Sequence, residues 1–324
     1  MSISLAAAVT IISGLLLKRL FSTGESINFK ESFALVSLGW ILASVFGSLP
    51  FIFSGYLPNF ADAFFETVSG FTTTGASVVK DVEAWPRGLM FWRCLTQWLG
   101  GIGIIALFIA VIAGTGAGGN QLFKAEVPGG SITDRISPRI REMAQKLWLT
   151  YIIISIICLL LLLIFGMNLF DALCHTFATM ATGGFSTKNA SIGFYSSPYI
   201  QWTITIFMFI AATNFSLHYL AYKDRRPVVY FKNPEFRFYT GIVLISSAVV
   251  ALGLHLTGGM GGWEEKIRLA SFQVVSIIST TGYATADFNL WPAMSTGVLF
   301  LLMFVGGCIG STGGNIKPGR YLII

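Results

Sequence analysis

Residues 169–185 read LFDALCHTFATMATGGF, and the reading of this stretch decides the fold. About a dozen semi-apolar residues, 169–182, form a helix of only ~18 Å, whereas a hydrocarbon core is ~30 Å thick. They lead into Thr182-Gly183-Gly184-Phe185 and then, after a polar stretch, into another long apolar segment. A helix too short to cross, placed between two segments that do cross, dips into the membrane and returns to the same side. The pattern recurs at 59–72 and 267–280. Non-helical backbone at that depth is tolerated only where it is buried in protein or lines water. Three such loops on one face point to a pore.

The composition agrees. Of 324 residues, 54% are hydrophobic and 11% charged, and the mean hydropathy is +0.72. Soluble domains carry roughly 25% charged residues, so soluble enzymes and soluble binding modules are excluded. Apolar stretches at 33–53, 89–113, 147–165, 199–221, 238–256 and 293–312, with the run 3–17, predict seven crossings of an all-α integral membrane protein. Lys18 and Arg19 follow the first run, whereas a signal peptide carries its charge first. Of 21 Lys and Arg, 15 fall on one set of loops, which predicts the cytoplasmic side. That bias accounts for the net charge of +6 without a nucleic-acid partner. Cys94, Cys158, Cys174 and Cys308 sit in or beside apolar stretches without CxxC spacing and read as packing residues.

Aligning the three loops without gaps matches Thr73-Thr74-Gly75-Ala76, Thr182-Gly183-Gly184-Phe185 and Thr280-Thr281-Gly282-Tyr283, with the glycines 109 and 98 residues apart. These residue types suit a dehydrated cation. Backbone carbonyls replace hydration water in ion filters, and aiming several at one axis needs dihedrals that glycine adopts freely. Threonine adds a hydroxyl on a stiff side chain. Asp62 and Asp171 lie where a carboxylate can cap the short helices. No acidic ring occupies the tetrads, which favours a monovalent cation held by carbonyls over a divalent one held by carboxylates.

The runs 69–76 (SGFTTTGA), 175–187 (HTFATMATGGFST) and 272–283 (FQVVSIISTTGY) closely resemble the pore loops of Trk-type potassium-uptake membrane subunits, of the Trk/Ktr/HKT superfamily. So do 97–103 (QWLGGIG), 233–237 (NPEFR) and 306–314 (GGCIGSTGG), so the resemblance covers nearly the whole chain. It implies helix–pore loop–helix units around a pseudo-fourfold pore. Three are present here: 33–146, 147–237 and 238–324, after an N-terminal helix and cytoplasmic link at 1–32. A first N-terminal helix and a fourth unit are expected to be missing, so the chain reads as a fragment or a truncated product.

By this resemblance the function is potassium and rubidium uptake across the plasma membrane, the bacterial inner membrane, with K+ as cargo and no cofactor. The chain is not expected to be an enzyme. Thr73, Thr74, Gly75, Thr182, Gly183, Gly184, Thr280, Thr281 and Gly282 would bind potassium. Glycine at 75, where related plant sodium transporters carry serine, implies potassium preference. The family also implies a homodimer and a cytoplasmic nucleotide-binding regulatory subunit. Five glycines in nine residues at 306–314 weaken a helix. The family reading makes Gly306, Gly307, Gly310, Ser311, Thr312, Gly313 and Gly314 an intramembrane gate, against a plain close helix crossing. Proton- or sodium-coupled symport and a non-conducting truncated protein are the alternatives.

Other signals carry less. The run 114–119 satisfies G-x-G-x-x-G but follows an apolar helix instead of a strand, and reads as a loop. Asp171 and His175 share a helix face without a third catalytic partner, so capping and packing are expected. His218 and His255 sit near crossing ends, and Asn189-Ala190-Ser191 is an outer-side sequon. HExxH and GxSxG motifs are absent.

Overall fold

The computed structural model describes residues 2–20, 29–103, 137–257 and 261–323. Helices account for nearly all of its regular structure: α1 (Ser2–Leu20), α2 (Phe29–Ser54), α3 (Phe60–Phe71), α4 (Arg87–Ile102), α5 (Ser137–Ile164), α6 (Leu169–Met180), α7 (Pro198–Ala211), α8 (Phe215–Asp224), α9 (Val228–Lys232), α10 (Pro234–Leu256), α11 (Trp263–Ile278), α12 (Ala293–Leu302) and α13 (Pro318–Tyr321). Among the described residues, α1, α2, α5 and α10 are long and apolar enough to cross a membrane, and the pair α7–α8 makes a fifth crossing if counted as one bent span.

Burial is partly inverted relative to a soluble protein. The long helices turn apolar side chains outward: Leu15, Ile164 and Ile245 are exposed, and α1 buries only Ala6. The short helices α3, α6 and α11 are the buried ones, and they carry polar residues inward, with Glu66, His175 and Gln273 all nearly inaccessible. In a bilayer, lipid covers the outer apolar surface while polar groups collect inside the bundle. α3, α6 and α11 fall where the sequence places its three short segments.

Two expected crossings are corrected. The stretch 199–221 breaks at 212–214 into α7 and α8, which diverge by 95°. Asn214 starts the second arm by accepting the Ser216 N–H at 2.8 Å, a helix-capping bond that competes with continuing the first arm. The stretch 293–312 is helical only as far as Leu302, because the glycine run beyond it is held in an irregular path by contacts described below. In 89–113, α4 accounts for the first part; residues 104–113 and the run 114–119 lie outside the described residues.

α4 fits tightly against both neighbouring short helices. A Cβ on Gly100 would stand 2.0 Å from the Phe71 carbonyl oxygen, and one on Gly101 2.8 Å from the Ala181 Cα. The motif QWLGGIG therefore lets a helix backbone touch the ends of α3 and α6, as small residues do within membranes.

Candidate functional site

Each short helix ends in the same way. In the first, the Thr73 N–H donates to Gly70 O at 3.0 Å and the Thr74 N–H to Ser69 O at 2.9 Å. In the second, Thr182 donates to Thr179 O and Gly183 to Ala178 O; in the third, Thr280 donates to Ile277 O and Thr281 to Ser276 O. These paired bonds are Schellman caps, whose turning residue is left-handed and usually glycine. Here it is threonine, at φ 55°, 51° and 61° for Thr73, Thr182 and Thr280. A β-branched residue rarely adopts that conformation, and holding it stores about 1–3 kcal/mol per position.

Two residues further on, Gly75, Gly184 and Gly282 are again at positive φ, 77°, 75° and 84°, while the residues between are not. Alternating handedness turns successive peptide planes the same way, instead of opposite ways as in a strand. That is the backbone a carbonyl-lined path requires.

The loops also meet one another in order. A Cβ on Gly75 would lie 2.2 Å from Gly183 O, and one on Gly184 1.9 Å from Thr281 O. Each glycine thus faces the carbonyl preceding the next loop's glycine. Gly282, by the same step, meets nothing within 4 Å among the described residues. The second loop, flanked on both sides, has Thr182 and Gly183 buried; Thr74 in the first and Gly282 in the third are exposed. The three loops form an arc whose open side lies between the first and the third.

Gln97 from α4 clamps the second loop on both sides of its glycine. Its Nε2 donates to Gly183 O at 2.6 Å, and its Oε1 accepts from the Phe185 N–H at 3.1 Å. Serines tie down the outgoing strand elsewhere: Ser69 Oγ donates to Ala76 O at 2.5 Å and Ser276 Oγ to Tyr283 O at 2.6 Å. The second loop has Ala178 at that position, and the Tyr283 hydroxyl from the third loop donates to Phe185 O instead, at 3.1 Å.

Nine residues before each loop glycine stand Glu66, His175 and Gln273. Glu66 accepts from Ser77 Oγ (2.9 Å) and the Val78 N–H (3.0 Å), and pairs with the buried guanidinium of Arg93 at 2.5 Å. Arg93 also lies 3.4 Å from the centre of the Phe185 ring. His175 Nε2 bonds Ser186 Oγ at 3.0 Å, its Nδ1 bonds Asp171 O at 2.8 Å, and Asp171 accepts from Thr187 Oγ1 at 2.6 Å. So Asp171 and His175 pin the outgoing limb of their own loop. The capping expectation for Asp62 and Asp171 is corrected: the N-cap side chains are Asn59 and Asn168, which precede the helix and reach its free N–H groups. Outside the helices, the Asn189 side chain accepts from the Val82 N–H and donates to Asp81 at 2.7 Å, which holds the Asp81 carboxyl below the usual carboxylate range. The sequon asparagine is thereby occupied in joining two loops.

Residues 303–317 lie against the ends of α6 and α11. Thr312 Oγ1 donates to Met180 O at 3.1 Å, and the Gly314 N–H donates to Thr280 Oγ1 at 2.7 Å. On the other side, Cys308 and Thr312 donate backbone N–H groups to Ala212 O and Ala211 O, and the Phe215 N–H donates to Gly310 O. The segment therefore bridges the loop bases and the break between α7 and α8. One Glu235 carboxylate oxygen accepts from both Ile309 and Gly319 N–H groups, at 2.9 and 3.0 Å, and Lys317 donates to Gly313 O. Gly306 and Gly307 are needed for close approach: Cβ atoms there would stand 2.0 Å from Gly314 O and 2.9 Å from Ala212 O. Gly310 is left-handed at φ 74° beside Asn214, and Ser311 Oγ donates to Cys308 O.

A family model described as "TrkH: Cation transport protein" matches residues 1–324. The chain belongs to the TrkH family. It is 40% identical over 305 residues to the Trk system potassium uptake protein TrkH of Halomonas elongata, covering 93% of this chain and 62% of that one. To TrkH of Escherichia coli K12 it is 41% identical over 297 residues, covering 91% and 61%. The crystal structure of the potassium transporter TrkH from Vibrio parahaemolyticus superposes with a TM-score of 0.79 at 33% identity, covering 99% of this chain and 72% of that one. The chain thus spans about three fifths of the length of these curated relatives. As a TrkH-family chain it is an all-α integral membrane protein with several crossings.

Sequence reasoning did not identify Gln97, Arg93, Glu66, Gln273 or Glu235 as parts of this TrkH-family site. A signal existed for three brace positions: extending the loop alignment nine residues back places Glu66, His175 and Gln273 in register, each polar within an apolar helix. Gln97 and Arg93 carry no such mark: Gln97 reaches only the next loop, and Arg93 divides its contacts between Glu66 of its own unit and Phe185 of the next loop.

Proposed function

We propose that this chain forms three sectors of a potassium-uptake pore in the bacterial inner membrane. The observation that carries the reading is the threefold recurrence of one left-handed threonine turn and one left-handed glycine, with the loops packed edge to edge. A potassium ion, or rubidium in its place, sheds water into carbonyls of Thr73, Thr74, Gly75, Thr182, Gly183, Gly184, Thr280, Thr281 and Gly282. Gln97 and the braces at Glu66 and His175 keep those carbonyls from collapsing onto a smaller ion. The segment bearing Gly306, Gly307, Gly310, Ser311, Thr312, Gly313 and Gly314 gates the path. The sectors run 33–146, 147–237 and 238–324, with 1–32 preceding them. The names of the relatives support potassium as cargo and a partnership with other Trk-system components, which we take to be a nucleotide-binding regulatory subunit and a second copy of the transporter.

The test is rubidium uptake and reversal potential of the full protein containing this chain, in vesicles. Uptake is expected to be rubidium-selective over sodium, and Gly75→Ser is expected to shift the reversal potential toward sodium, because its side chain displaces the Gly183 carbonyl 2.2 Å away. An unchanged reversal potential in that variant would sink the assignment. The open face at Gly282 favours one competing reading, a non-conducting assembly protein. That reading requires no voltage-driven rubidium flux at all.

A further inference from the structure

A cavity of about 500 Å³ opens beside the bent pair, between α5, α7, α8, α9 and the start of α10. Its wall includes Ile153, Ile157, Phe207, Ile210, Tyr222 and Phe231. The polar groups of its buried wall are paired, and the Tyr222 side chain is exposed. His218 bonds the Tyr230 hydroxyl at 2.8 Å and Ile210 O at 2.9 Å, while the Thr150 hydroxyl donates to Lys146 O of its own helix and the Thr213 hydroxyl to Phe209 O of α7. A wall of this kind offers water little and recognises hydrocarbon.

The rim is charged. Lys223, Arg225, Arg226 and Lys232 are all exposed within ten residues whose only acid is Asp224. Arg225 caps α8 in a left-handed turn, and the wall residues Tyr222, Tyr230 and Phe231 lie on either side of that turn. The cations therefore lie on the same short segment as three residues of the cavity wall. Clusters of Lys and Arg at a cytoplasmic membrane surface attract anionic headgroups. An apolar slot under a basic turn matches the two halves of one molecule.

We propose that this cavity holds an acyl chain of an anionic phospholipid whose phosphate rests on the turn formed by Lys223, Arg225, Arg226 and Lys232. The site has a route to the candidate gate. Ile210 and Thr213 of its wall flank Ala211 and Ala212, whose carbonyls hold Thr312 and Cys308. A bound chain fixes the angle of the break and so the 303–317 segment. Lipid binding stands apart from conduction; only its effect on flux rests on the proposed pore.

The test uses the full protein equilibrated with vesicles of phosphatidylcholine and phosphatidylglycerol, with retained lipid read by native mass spectrometry. Phosphatidylglycerol is expected to be retained in preference to phosphatidylcholine. The double variant Arg225→Gln/Arg226→Gln is expected to lower its retention on the order of tenfold, and Ile153→Trp, which fills the slot, is expected to lower it as well. Equal retention of the two lipids, or full retention in the double variant, overturns the proposal. Retention lost in the double variant but kept in Ile153→Trp also overturns it, as charge-only adhesion. Rubidium uptake in vesicles with and without phosphatidylglycerol then reads the coupling: a difference in the parent that the double variant lacks supports it, and identical uptake overturns it.

Discussion

Glu66 and Arg93 show how much a single contact can rest on burial. Both side chains are almost wholly inaccessible, so their pair is not screened by solvent. Removing one partner leaves the other charge stranded, which costs about 3–5 kcal/mol, whereas an apolar pair of similar shape costs far less. Glu66→Gln is therefore expected to lower the melting temperature sharply in detergent. Glu66→Leu/Arg93→Met should recover most of that loss, while selectivity stays impaired because the Ser77 and Val78 anchors are gone. A double variant no more stable than Glu66→Gln would refute the buried-pair account. His175→Leu is a milder case: it takes the imidazole partner from the buried Ser186 hydroxyl, which then only accepts from the Lys188 N–H, a loss of about 1–3 kcal/mol, checked by the same melting curve.

At the scale of elements, the 303–317 segment is tied to the helix that follows it because Ile309 within it and Gly319 just beyond it converge on a single Glu235 oxygen. Glutamine keeps an acceptor at that place and alanine does not. Glu235→Gln is expected to conduct like the parent, whereas Glu235→Ala releases the segment, raising the unregulated rubidium leak and cleavage within 303–317 by added protease. Equal behaviour of the two variants would remove Glu235 from the account. Gly310 is the complementary position. A valine there meets both a left-handed backbone and the Asn214 side chain about a Cβ contact away, 3.0 Å. Gly310→Val is expected to change flux while leaving the rubidium-to-sodium ratio intact; a shifted ratio would place the segment in the filter instead.

For the molecule as a whole, the arc of three loops makes the glycines unequal. An alanine at Gly184 collides with Thr281 O and one at Gly75 with Gly183 O, but at Gly282 nothing among the described residues stands within 4 Å. All three share the left-handed penalty of about 1 kcal/mol. In this chain alone Gly282→Ala is expected to be the mildest for melting temperature and Gly184→Ala the most severe. If the three prove equally severe, another loop packs against Gly282 as Gly183 packs against Gly75.

Much of this was legible in the sequence. Helix lengths and hydropathy determined an all-α membrane protein, because a bilayer sets a fixed length for a crossing. The Thr-x-Gly spacing located the three loops, since left-handed turns select few residue types. The 95° break within 199–221 was not read from the sequence: Thr213, Asn214 and Ser216 are a brief polar interruption that a membrane helix can also carry, and the break is fixed by the Asn214 cap and by carbonyls bonded to a segment about a hundred residues away. Nor could the sequence assign Gln97 to the second loop or Tyr283 to Phe185, because those bonds join separate units. Local composition fixes which segments cross and which turn back, a matter of solvent and backbone sterics. Which loop braces which, and how the 303–317 segment is held, depends on contacts between distant parts of the chain that only the folded molecule brings together.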